Sequence, residues 1–201
     1  METKEYTSGL KFRGGRTFGN DCTFGDNCTF GGRCKFGIGC KFGIGCKFGI
    51  GCKFGSECTF ENYCKFGNDC TFGNDCTFGG RCKFENYCKF GGKCAFEDYC
   101  GIGIGCTFEN YCKFGSECTF RSECTFGVGC IFEGLVFKPN ETKYFISVSR
   151  IGSRLGSTYF FNSTSGIFVR CGCFFGSISE FMEEVDKTFQ EINTGLSIWR
   201  L

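Results

Sequence analysis

The side chains with most chemistry to offer in this chain are its cysteines, 21 of them in 201 residues, and there is no histidine to work beside them. Thiolates bind soft metals, exchange disulfides and attack carbonyls, so spacing has to decide among these uses. From Cys22 to Cys130 a cysteine falls at every sixth position without a break. Thiolate metal sites draw on C-x₂₋₄-C pairs, which this repeat never offers. Cys171-Gly-Cys173 is a closer pair, but with no further ligands near it in sequence it reads as two inward strand positions. No nucleophile–base pair, phosphate loop or dinucleotide fingerprint is present. The expectation is a protein with no catalytic residues, no metal and no cofactor.

The cysteines belong to a larger pattern. A phenylalanine also falls at every sixth position from Phe12 to Phe132, broken only by Ile102, and the two registers lock as Phe-Gly-x-x-Cys-[Lys/Thr]. An even period puts Phe at i and Cys at i+4 on one face of an extended chain. A helix would rotate successive Phe by roughly 240° and form no stripe. Short strands joined by tight turns remain, and hexapeptide periods signal parallel β-helices. In such a fold Phe stacks on Phe and Cys on Cys between coils. Each Cys then needs only to be small and apolar. Stacked Cβ atoms about 4.8 Å apart are farther than a disulfide prefers, so reduced thiols are expected. Ile102, in Gly101-Ile102-Gly103, reads as a packing variant.

The motif resembles the hexapeptide-repeat family of left-handed parallel β-helices, over residues 10–134. The resemblance implies three hexads per triangular coil. That family usually has Leu, Ile or Val where this chain has Phe. Its acyltransferases and carbonic anhydrases work through histidines, which are missing here.

The expected domains are an N-terminal cap over 1–11, the β-helix over 12–134 and a small α+β module over 135–201. In that module Tyr144–Ser149, Thr158–Phe161 and Ile167–Cys171 read as three strands. Ser177-Ile-Ser-Glu180 reads as a capping box opening an amphipathic helix. Ile178, Phe181, Met182, Val185 and Phe189 stand at core spacing on it. The whole chain also resembles gut Firmicutes and phage proteins that pair Cys-x-Phe-Gly hexads with an Arg-Cys-Gly-Cys-Phe module. That resemblance alone suggests a counter-defence factor binding a host immune protein or a nucleotide signal. An enzyme of unfamiliar type in the C-terminal module is a further alternative.

Net charge is only +2, which disfavours both DNA mimicry and general binding to a phosphate backbone. No run is long enough for a membrane span. The first residues, Met1-Glu-Thr-Lys-Glu-Tyr, carry no apolar signal segment, and a cytoplasmic protein is expected.

Folding the chain at three hexads per coil stacks Lys47, Lys65 and Lys83 in one column. Tyr63, Arg81 and Tyr99 gather at the turn leading into it. Asp21, Glu57 and Asp75 fall at another corner. In the C-terminal module Ser153, Arg154 and Arg170 are polar groups among aromatic strands, and the two guanidinium forks suit a carboxylate or phosphate. The favoured reading is a non-catalytic binding or scaffold rod. Its candidate binding residues are Lys47, Lys65, Lys83, Arg81 and Tyr63, with Ser153, Arg154 and Arg170. Expected partners are a protein or a small anionic ligand, with a homodimer or homotrimer as the expected assembly.

Overall fold

The computed structural model describes residues 4–121, 123–127, 129–132, 135–136, 145–151, 156–163, 165–171 and 174–187. The chain divides into two compact units, Met1–Asn140 and Glu141–Leu201.

The first unit is a parallel β-solenoid with 18 residues per turn. Its strands are two residues long, mostly Thr-Phe or Lys-Phe, and along each sheet they pair in parallel register three hexads apart, until Ile131–Phe132 pairs antiparallel with Leu135–Val136. Phe42, Phe60 and Phe78 are neighbours in one sheet. Phe48, Phe66 and Phe84 are neighbours in a second, and Phe54, Phe72 and Phe90 in a third. The three sheets begin at Glu5–Tyr6, Lys11–Phe12 and Thr17–Phe18. Two-residue strands are too short to stand alone. They persist here because every coil is held by two neighbours.

The aromatic columns supply the core. Within a column the rings lie flat on one another: Phe42 and Phe60 are 4.8 Å apart at 3°. Between columns they meet edge to face: Phe42 and Phe48 are 5.0 Å apart at 89°. Both geometries are favourable for ring quadrupoles. The small Cys at i+4 leaves the interior free for three ring columns. Ile102, 3 % exposed, takes the place of Phe between Phe84 and Phe120, as a packing variant should.

The thiols do more than fill space. From Cys34 to Cys130 the repeat Sγ atoms point at the carbonyl of the residue after the Phe position one coil back, such as Gly19 O from Cys40 at 3.3 Å and Gly49 O from Cys70 at 3.5 Å. No backbone donor to the Gly49 carbonyl appears, so the S–H satisfies a part-buried acceptor. The sequence reading of Cys as a small hydrophobe misses this.

Turn residues form a second ladder. The side-chain oxygen at i+2 accepts the backbone N–H of the next coil's i+2 residue. Examples are Ile38 N–H to Asn20 Oδ1 at 3.0 Å and Gly80 N–H to Asn62 Oδ1 at 2.8 Å. At i+3 the backbone is left-handed, whether the residue is Gly45 (φ 70) or Tyr63 (φ 64). That is the turn geometry that lets a sharp corner form with positive φ.

The first coil differs from the cap expected over 1–11. Glu5–Tyr6 is already a strand, paired with Thr23–Phe24, and Tyr6 stacks on Phe24 at 4.6 Å. Capping is built into this coil. Leu10 and Arg16 stand where later coils have Cys, and the Arg16 guanidinium lies 5.7 Å from the Phe12 ring centre. A cation thus sits against the first ring of a column.

In the second unit the strands Phe145–Ile151, Gly156–Ser163, Gly166–Cys171 and Phe174–Ser177 form one antiparallel sheet in that order. The fourth strand has no counterpart in the sequence reading, because the aromatic pair Phe174-Phe175 is too short a run to signal one. A helix over 178–187 follows directly. The capping box is present: Ser177 N–H and Oγ–H donate to Glu180 Oε2 at 2.7 and 2.8 Å, and Glu180 N–H returns to Ser177 Oγ. These hydrogen bonds, the backbone one first, hold the Glu180 carboxyl below its usual range. Phe181 and Val185 are half-buried, whereas Ile178 and Met182 are exposed. Phe189 and residues 196–201 lie outside the described residues.

Candidate functional site

The variable positions of the hexad face outward, so any site of the solenoid is built from corners and strand faces. Tyr63, Arg81 and Tyr99 occupy the i+3 position of three successive coils at one corner. Their side chains form a sandwich. The Arg81 guanidinium lies 5.6 Å from the Tyr63 ring centre and 5.5 Å from that of Tyr99, and its Nη1 donates to Tyr63 Oη at 2.7 Å. Each such cation–ring contact contributes about 0.5–1 kcal/mol at an exposed site. The arrangement fixes a side chain that would otherwise sweep through solvent.

Beside the sandwich is an open depression of about 650 Å³, lined by Asn62, Tyr63, Gly80, Arg81, Glu97, Asp98 and others. Gly80 gives it room. The two carboxylates are engaged with backbone: Gly80 N–H donates to Glu97 Oε2 at 3.1 Å and Ser116 N–H to Asp98 Oδ1 at 2.8 Å. Among the described residues, the one ion pair is Lys187–Glu184. Arg81 therefore has no carboxylate at ion-pair distance, although Glu97 and Asp98 line the same depression.

The face reached from this corner carries Lys47, Lys65 and Lys83 in direct register, all exposed. Like charges opposite one another in a sheet repel. Asp21, Glu57 and Asp75 share another corner and are likewise exposed. Gly39 stands between the first two, with the Asp21 carboxylate lying over it. The solenoid thus has the basic-aromatic edge and the acidic edge that its repeat implied. Tyr99 belongs with Tyr63 and Arg81 as a full member of the sandwich.

The thiols are placed for structure. In the column of Cys40, Cys58, Cys76, Cys94 and Cys112 each side chain is fully buried. Hydrogen bonding to the next thiol, with burial, holds Cys94 and Cys112 up at about 12. In Cys58 and Cys76 a hydrogen bond from the preceding thiol pulls down. The next thiol and burial outweigh it, again leaving about 12. Neutral, buried thiols make poor nucleophiles. Among the described residues no cluster of three metal-ligating side chains occurs.

Of the expected C-terminal patch only Arg170 is among the described residues. Ser153 and Arg154 lie outside the described residues. Arg170, which a binding role would need at the surface, is 7 % exposed. It sits on the central strand between Tyr159 and Phe175, and the neighbouring Val169 is also buried. Both faces of that strand are covered, which sequence alternation could not reveal.

A family model described as an RNA-binding, Nab2-type zinc finger, of the CCCH class, matches residues 16–31, 27–43, 45–60, 64–79, 105–121 and 112–127. The matched segments follow the Cys period of the coils. This chain has no histidine to complete a three-cysteine, one-histidine set, and its matched cysteines, except the half-buried Cys124, are buried in the stacked columns. No curated protein and no solved structure matches the chain.

Proposed function

We propose that the protein is a non-catalytic binding rod that engages an acidic partner through the Lys47–Lys65–Lys83 face and the Tyr63–Arg81–Tyr99 edge. The observation that carries this reading is Arg81, held between two rings with no carboxylate paired to it, beside a row of mutually repelling lysines. Keeping such charges together costs stability unless an anion compensates them. Guanidinium forks and ammonium groups together suit carboxylates. The ring walls add contact area at low entropic cost, as in protein-binding surfaces generally. The buried thiols and the ring columns support a scaffold role for the interior. No described helix is long and apolar enough to cross a membrane.

The test is titration of the full chain with fluorescent polyglutamate, with a single-stranded oligonucleotide alongside. The reading expects salt-sensitive polyglutamate binding that Arg81→Ala weakens severalfold and Lys65→Glu weakens further. Equal binding by wild type and both variants, or preference for the oligonucleotide, overturns it.

A further inference from the structure

The solenoid carries, on a different face, a surface that complements its own lysine row. Consider the first sheet in the coils that hold Glu57 and Asp75. Outward from its strands stand Thr59, Thr77 and Ala95, all small. On one side of this row lie Glu57 and Asp75, and on the other Glu61 and Glu97. All four acids are exposed. The result is a shallow channel with a floor of small side chains and acidic rails. Lys41 and Lys93 interrupt it at either end.

The second-sheet face has the opposite relief. Lys47, Lys65 and Lys83 form a central row; Gly49 and Gly67 leave one flank low, and Gly45, Tyr63 and Arg81 form the other. Glu85 is the one acid that follows it on that face, and Arg81 adds a fourth cation. Both faces repeat at the same coil spacing, about 4.8 Å. A lysine row of one molecule and an acidic channel of another are therefore in step over their whole length. An unrelated acidic surface would match only by accident.

We infer that the partner of the lysine face is the first-sheet face of a second copy of this chain, docked side by side with the lysine row lying in the acidic channel. This rests on the reading of that face as a binding surface and names its occupant. The contact is heterologous, so each copy keeps a free donor face and a free acceptor face. Seven coils span roughly 34 Å, and a face about 17 Å wide then buries well under the ~800 Å² per partner of a standard interface. The association is accordingly weak, concentration-dependent and sensitive to salt.

The experiment is sedimentation of the full-length chain at about 20 mM and about 0.5 M salt, conditions that bracket strong and weak screening. Association is expected at low salt and loss of it at high salt. Two charge-reversed variants decide the geometry. Lys65→Glu/Lys83→Glu destroys the row, and Glu57→Lys/Asp75→Lys destroys one rail. Both are compatible with the fold, because Glu5 already occupies the outward strand position and Lys93 the left-handed corner (φ 59). Each variant alone should fall at least about tenfold in self-affinity, since two attractions become repulsions. Mixed together they should form a one-to-one dimer that grows no further, because one good face remains on each. A monomeric wild type at low salt, or a mixture that stays monomeric, overturns the inference. If polyglutamate still binds in that case, the binding-edge reading survives and only the identity of the occupant is wrong.

Discussion

The two units solve the same burial problem in opposite ways. In the solenoid no strand exceeds two residues, and parallel partners are three hexads apart, with one antiparallel pair, Ile131–Phe132 and Leu135–Val136, at the end. In the C-terminal unit the strands run to eight residues, and neighbours are joined antiparallel through short connections. The solenoid repeats one interaction many times, so its stability is close to a sum over coils and interfaces. The sheet has no such redundancy. Phe161 and Val169 are completely buried at its centre, together with two polar side chains, Thr158 and Arg170. Repetition therefore frees the solenoid's outward positions to vary. In the sheet even an arginine has been drawn inside. Surface recognition belongs to the first kind of architecture for that reason.

The largest expected effect separates the two units by their cores. Phe66→Ala should destabilise the solenoid by about 3–5 kcal/mol, as for other buried Phe truncations. Phe161→Ala should cost the sheet a similar amount. Calorimetry should show each substitution lowering a different transition. A single transition shifted by both would mean that the units fold as one.

Alkaline titration reads the thiol columns. Cys58, Cys76, Cys94 and Cys112 hold their protons to about 12 when folded, against an ordinary value of 9.0. The folded state thus binds more protons than the unfolded one between these limits. The contribution of this one column to solenoid stability should be fully present below pH 9 and fall as pH rises toward 12, each of these four thiols contributing up to about 1.4 kcal/mol per pH unit. Circular dichroism against pH checks this. A flat profile across that window would show that the thiols are not held protonated by the fold.

A smaller effect tests whether Cys is a filler or a donor. Cys70→Val keeps the apolar character but removes the S–H that faces Gly49 O. About 0.5–1.5 kcal/mol should be lost, with extra crowding from the added methyl. Cys70→Ala should lose the same donor without crowding. Equal stability of wild type and the alanine variant would return Cys to a purely steric role.

The smallest expected change concerns Ile102. Ile102→Phe restores an unbroken column between Phe84 and Phe120 and should gain up to about 1 kcal/mol from ring stacking. A loss instead would show that the coil has closed around the smaller side chain and is overpacked by a ring.

How much was legible follows from periodicity. A strict period of six, with Phe and Cys four apart, determined the extended backbone and the inward faces; the resemblance to hexapeptide-repeat proteins implied the three-hexad coil, and with it the columns Lys47–Lys65–Lys83 and Tyr63–Arg81–Tyr99. Such columns are arithmetic once the coil is known. The capping box at Ser177 was equally local, since both partners lie within one turn. Tertiary structure alone decided the rest. That Arg81 lies between two rings, and that Cys70 donates to the Gly49 carbonyl of the coil before it, depends on where side chains point across coils. That Arg170 is buried depends on what covers a strand's second face. The strand at Phe174–Ser177 exists because an edge was there to pair with. Local pattern records the direction of a side chain relative to its own backbone. It carries no record of the neighbour that the fold brings to meet it.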